Sequence, residues 1–141
     1  MAGDSSKIEI LGRVPLFARC SKKELKQIAP LVDELRVSAG RELITQGRGG
    51  EEAFVIVSGT AAVTVDGREV RTAGAGEAVG EMALLDPSAL RSATVTATSD
   101  MELLVIGARE FHSMLLKHPQ VTLQVAIGLA ERLREHSPVS G

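Results

Sequence analysis

The sequence predicts an α+β fold, mainly β with helices at both ends, whose strands form an antiparallel barrel or sandwich. Three observations carry that reading. Many short runs rich in β-branched residues crowd between residues 34 and 107, with glycine turns separating them. Both flanks, residues 5 to 33 and 108 to 136, carry apolar residues at helical spacing. With 141 residues, 44% of them hydrophobic, the chain can bury a core of its own and reads as one domain spanning 1 to 141.

The elements follow in order. Ile8, Ile10, Leu11, Val14, Leu16 and Phe17 precede Ser21 and Glu24, a serine and a glutamate three positions apart that spell a capping box. Leu25, Ile28, Ala29 and Val32 continue at helical spacing, so residues 5 to 33 lay one apolar face on the rest. From Glu34 the period changes. Leu35 and Val37 alternate with Arg36, Gly40 marks a turn, residues 42 to 45 make a short strand, and Gly47 to Gly50 form a glycine-rich loop. Ala53 to Val57 is a continuous apolar run, the pattern of a fully buried strand, ended by Ser58 and Gly59. The next strand, residues 60 to 65, meets Asp66 and Gly67, the favoured two-residue turn of a tight hairpin, and returns through Arg68 to Arg71. Gly74 and Gly76 break the chain. Residues 94 to 98 and 101 to 106 supply two more strands. Ala108 to Lys117 then places Phe111, Met114 and Leu115 on one helical face, His118 and Pro119 interrupt it, and residues 120 to 135 form a last helix with Ala126, Leu129 and Leu133 on one stripe.

Composition excludes several function classes. Sixteen Lys and Arg against 18 acidic residues give a formal charge of −2, which argues against general affinity for nucleic acid or an anionic membrane. No apolar run reaches the roughly 18 residues of a membrane span, and the N-terminus lacks a signal pattern. A single cysteine, Cys20, forms no internal disulfide and fits a reducing cytoplasm; it reads as a small half-buried hydrophobe. Phe17, Phe54 and Phe111 are the only aromatic rings.

Residues 79 to 95 carry the chemistry. Val79 leads to Gly80, which lets the backbone come close to something, and Glu81 follows as an acceptor-only carboxylate. Met82 to Leu85 is a short run of helix formers whose first N–H groups favour a bound anion, most commonly a phosphate. Asp86 and Pro87 end that turn. Ten positions after Glu81 stands Arg91, an always-ionised fork suited to phosphate oxygens, with Ser92 and Ala93 beside it. An anionic ligand that also carries hydroxyl donors satisfies all three features.

The order Gly80, Glu81, Leu84, Leu85, a short loop, then Arg91, Ser92, Ala93 and Val95 resembles the phosphate-binding cassette of the cyclic nucleotide-binding domain. Catabolite activator proteins, regulatory subunits of cyclic-AMP-dependent kinase and cyclic-nucleotide-gated channels share it. The flanks are similar too, from Leu16 and Phe17 through Gly40, Gly47, Val55 and Gly59 to Arg132 and Leu133, so the resemblance covers nearly the whole chain. It implies a double-stranded β-helix, a jelly-roll-like barrel, with an N-terminal helical bundle and mobile B and C helices.

It also implies a ligand, a 3′,5′-cyclic nucleotide, with cyclic AMP favoured over cyclic GMP, and no metal. The phosphate would sit against Arg91 and the N–H groups of Met82 and Ala83, helped by Ser92. Glu81 would accept from the ribose 2′-hydroxyl, Gly80 would let the sugar approach, and Val79 with Val63 and Val70 would line an apolar wall. The implied binding set is Val79, Gly80, Glu81, Met82, Ala83, Arg91, Ser92 and Ala93. For the base the candidates are Arg132, Leu133, His136 and Ser137; the last two fall where the catabolite activators place a hydroxyl pair that reads adenine.

Three functions compete. In the first, the chain is a regulatory sensor whose C-terminal helices close over the ligand and whose effector or fused output domain is unidentified; after Glu135 only six residues remain, too few for a helix-turn-helix, so the chain is a stand-alone sensor or a piece of something larger. In the second it is a structural or dimerisation module with another ligand or none, the C-terminal helix being the candidate seam. Its stripe is only about two heptads long, which favours packing onto the barrel instead. The third, an enzyme, lacks a constellation: His112, His118 and His136 all fall in the C-terminal segment, Cys20 has no base, and the glycines from Gly74 to Gly80 miss the dinucleotide fingerprint by one position.

Overall fold

The structure, a computed structural model, describes residues 4 to 135. The N-terminal segment is broken into four pieces: α1 (Asp4–Gly12), a 3-10 turn at Pro15–Phe17, α2 (Lys22–Ile28) and a second 3-10 turn at Ala29–Leu31. Pro15 and Pro30 sit in the two 3-10 turns, where their missing N–H groups keep the α-helical ladder from running through. The capping box forms as its spacing predicts. The Glu24 N–H donates to the Ser21 hydroxyl at 3.2 Å, and the Ser21 N–H donates to the Glu24 carboxylate at 2.7 Å. Cys20 is half-buried beside the same core, and burial, with Glu24 adding to it, pushes its thiol up to about 11, which keeps it protonated and inert at neutral pH.

Eight strands follow: β1 (Asp33–Val37), β2 (Glu42–Ile44), β3 (Glu52–Ser58), β4 (Ala61–Val65), β5 (Arg68–Ala73), β6 (Ala78–Val79), β7 (Thr94–Ala97) and β8 (Met101–Gly107). They make two four-stranded sheets, in the orders β1-β8-β3-β6 and β2-β7-β4-β5, with antiparallel pairing throughout. Among the described residues no ladder joins one sheet to the other, so the pairing shows two sheets and not the closed barrel that the resemblance implied. Asp66 and Gly67 close the β4–β5 hairpin with φ of 51° and 80°, both positive, as the twist of a two-residue hairpin demands.

The continuous apolar runs of β3 and β8 are explained by burial on both faces. Ala53, Val55, Leu104 and Ile106 point toward the helices, where they meet Leu11, Phe17, Ile28 and Phe111. Phe54, Ile56, Leu103 and Val105 point the other way, toward Ile44, Val63 and Val95 of the facing sheet. Strand geometry sends successive side chains to opposite faces, so one strand serves two cores. Phe17 and Phe111 join the helical segments with ring centroids 5.7 Å apart. Truncating the fully buried Phe111 to alanine is expected to cost about 3–5 kcal/mol, measured as a lowered urea midpoint at unchanged slope.

The C-terminal helices are α4 (Ala108–Lys117) and α5 (Pro119–Glu135), and α5 turns a different face inward from the expected one. Val121, Val125 and Gly128 are buried, Leu129 is half-buried, and Ala126 and Leu133 are exposed. The cause is the partner surface: Gly128 lies over the carbonyls of Pro15 and Leu16, so α5 packs on the first 3-10 turn along its 121, 125, 128 row. Among the described residues no helix is long and apolar enough to cross a membrane.

Candidate functional site

Register across the second sheet builds the floor of the site. Ile44 pairs with Val95, Val95 with Val63, and Val63 with Arg71, so four directly opposed residues form one rung across β2, β7, β4 and β5. Opposed residues in antiparallel strands share a face. All four line a cavity of about 330 Å³ whose opposite wall is β6, the start of α3 (Met82–Leu85) and the loop from Ala89 to Ala93. Val79, Gly80, Glu81, Met82, Ala83, Arg91, Ser92 and Ala93 all line it.

Local backbone explains how these residues arrive. Val79 is pinned by its pairing with Phe54, a two-residue strand that no sequence period could signal. Gly80 then adopts φ of +74°, a left-handed turn that swings Glu81 into helical conformation at the head of α3. The Arg91 backbone is held at both ends: its N–H donates to the Arg48 carbonyl and its carbonyl accepts from the Gly47 N–H, each at 2.8 Å. Its guanidinium donates from Nη1 to the Gly80 carbonyl at 3.3 Å and from Nη2 to the Glu52 carbonyl at 2.6 Å. Partial burial lowers the guanidinium pKa, and the charge of nearby Glu52 works in the opposite sense.

Two glycines make room for that group. A Cβ built on Gly80 would lie 2.7 Å from Arg91 Nη1, and one on Gly50 would lie 2.7 Å from Arg91 Cζ. Gly50 was read only as part of a flexible loop; its run of glycines was the available signal. The space that the missing side chain of Gly80 leaves also holds Arg91, a role beyond the sugar approach expected of it.

Glu81 is mostly covered, with 18% of its side chain exposed. One oxygen, Oε1, accepts from Arg132 Nη2 of α5 at 3.4 Å, while Oε2 is buried without a hydrogen-bond partner. An ionised oxygen in that condition is costly unless something donates to it.

Other expectations need correction. The Ala83 N–H donates to the Gly80 carbonyl at 3.1 Å, so it is not open to an anion as the short helix suggested. Val70 does not line the cavity: a bulge in the β4–β5 ladder pairs Val63 with Arg71 and Thr64 with Glu69, leaving Val70 unpaired and 59% exposed. Arg71 takes its place on the rung, a residue that sequence reasoning missed because a bulge inverts facing without leaving a periodic trace. Of the base-end candidates, Arg132 reaches Glu81, Leu133 is exposed, and His136 and Ser137 lie outside the described residues. Among the described residues no group of three or more His, Cys, Asp or Glu could hold a metal ion.

Comparison with known proteins identifies a family. The cyclic nucleotide-binding domain profile matches residues 34–118. A Pycsar effector protein, PaPycTIR of Pseudomonas aeruginosa, is 42% identical over 95 residues, which is 67% of this chain and 31% of that one. The crystal structure of the N-terminal domain of a transcriptional regulator from Streptomyces coelicolor superposes with a TM-score of 0.81 at 27% identity, over 89% of this chain and 91% of that one. The regulatory domain of Toxoplasma gondii PKA, solved with cAMP, superposes at 0.71 with 32% identity, over 79% and 44%. The chain spans about a third of the length of the first curated relatives it matches.

Proposed function

We propose, because this chain belongs to the cyclic nucleotide-binding domain family, that its cavity holds a 3′,5′-cyclic nucleotide and that the chain acts as a regulatory sensor module, not as a catalyst. The observation that carries the reading is the buried, unpartnered Glu81 Oε2 in the same cavity as Arg91. A cyclic nucleotide brings what both lack: a 2′-hydroxyl that donates to Glu81 and phosphate oxygens that accept from Arg91. The guanidinium would exchange neutral carbonyl partners at Gly80 and Glu52 for an anion, the stronger hydrogen bond. Ser92 is exposed at the cavity edge and adds a hydroxyl to the same oxygens.

The ion pair between Arg132 and Glu81 supports coupling to the C-terminal helices. Arg132 belongs to α5, so a hydroxyl arriving at Glu81 changes the carboxylate that α5 holds, and a ligand shifts a conformational equilibrium by its different affinity for the two states. The output would lie in chain beyond this module, as the greater length of the relatives suggests. His136 and Ser137, which the resemblance matched to adenine recognition, lie outside the described residues, and a four-base titration decides between cyclic AMP and cyclic GMP.

One measurement tests binding and coupling together. Titration with the cyclic monophosphates of all four bases, followed by amide hydrogen exchange, is expected to give saturable binding of at least one and altered protection between residues 119 and 135. With no Trp or Tyr, any nucleotide retained on purification would dominate absorbance near 260 nm. Failure of all four to bind at millimolar concentration overturns the sensor reading.

A further inference from the structure

We propose that Arg71 reads the base of the ligand and selects bases that present a carbonyl oxygen, guanine or uracil, over those that present an amino group, adenine or cytosine. The inference rests on the cyclic nucleotide reading and assigns its base end to the sheet. The Ile44–Val95–Val63–Arg71 rung has an arginine near each end: Arg91 stands by Ile44 and Gly80, and Arg71 lies three strand spacings from Ile44, about 14 Å along the sheet. Between them the floor is Val95 and Val63, an apolar stretch against which a base can pack. A phosphate fixed at Arg91 therefore directs the base along the rung toward Arg71.

Arg71 is positioned to donate. Its Nη1 donates to Glu77 Oε1 at 2.7 Å, and Glu77 Oε2 accepts from the Gly74 N–H at 2.5 Å. Both carboxylate oxygens are thus engaged, and Glu77 does not line the cavity, so the group facing the base at this end is a guanidinium with donors and no acceptor. Guanine offers O6 and N7 to such a fork, and uracil offers O4. Adenine keeps the N7 acceptor but puts an amino donor in place of O6, and cytosine puts one in place of O4, so at that one position a donor-only guanidinium meets another donor. A site built to hydrogen-bond one group rejects the analogue that lacks it more strongly than an apolar pocket rejects a change of size.

The test is a competition titration of cyclic GMP, cyclic UMP, cyclic AMP and cyclic CMP against wild type, Arg71→Ala and Arg71→Lys, with circular dichroism to establish that each variant folds. Wild type is expected to prefer a carbonyl base over the amino base of the same ring size by about tenfold to a hundredfold. That ratio should collapse toward one in Arg71→Ala and recover in part in Arg71→Lys, a change in discrimination that loss of packing alone would not produce. The separate purine and pyrimidine titrations decide between guanine and uracil. Equal affinities in wild type, or a preference that survives Arg71→Ala, overturns the assignment. If none of the four binds wild type, the sensor reading fails and this one with it; if they bind without the ratio, only this one fails.

Discussion

Arg91→Ala is expected to weaken cyclic nucleotide binding by roughly thirtyfold to several thousandfold, about 2–5 kcal/mol, while the protein keeps its fold. The size of the loss follows from what the side chain does in the cavity. It is the cation that the cassette contributes to the cavity, half-covered, with its guanidinium held by two backbone carbonyls. Removing it leaves an entering phosphate without its charge-assisted donor in a site already partly shielded from water. The fold survives because no buried counter-ion is stranded: the nearby Glu52 side chain is exposed to water, and the hydrogen-bond partners left behind are the neutral carbonyls of Gly80 and Glu52. Arg91→Lys should fall between, since an ammonium restores charge without the planar fork. Calorimetric titration beside thermal unfolding separates the two effects. An unchanged dissociation constant for Arg91→Ala would remove this residue from the site.

Much of the fold was legible because local chemistry decided it. The Asp66–Gly67 turn and the Ser21–Glu24 box are set by residues within a few positions of each other, and both formed as written. The apolar run at 53–57 predicted a buried strand and residues 101–106 a further strand, and β3 and β8 are both covered on two faces. What failed was decided at a distance. The α5 sequence carries two apolar faces, Val121–Val125–Gly128 and Ala126–Leu129–Leu133; only the shape of the 3-10 turn beneath Gly128 selects the first. At the site, the cassette residues could be picked out because they sit in one stretch of seventeen, from Val79 to Val95. The Arg71 end of the cavity could not, since Arg71 reaches it through a bulge; Arg132 was legible only as a base-end candidate, whereas helix packing brings it to Glu81, 51 residues away in sequence. Gly50 was hidden for a similar reason: its importance is the guanidinium lying against it.

Gly80→Ala is the second change with a large expected effect, and it acts through backbone and site together. At φ of +74° an alanine is held in the left-handed region, a strain on the order of 1–3 kcal/mol. Its Cβ would also meet Arg91 Nη1 at 2.7 Å, Ile44 Cδ1 at 2.9 Å and the Glu52 carbonyl at 3.2 Å. The arginine is the most mobile of the three, so it yields first and leaves its place in the cavity. The expected result is a lower denaturation midpoint and a loss of affinity approaching that of Arg91→Ala. Gly50→Ala separates the two causes. Its φ is not positive, so strain is absent, yet its Cβ falls within contact distance of the Arg91 guanidinium, the far end of a flexible side chain. That variant should unfold like wild type and bind more weakly. Were Gly50→Ala to bind as wild type while Gly80→Ala lost affinity, backbone strain and not displacement of the guanidinium would be the cause, and the two-glycine cradle would have no part in recognition.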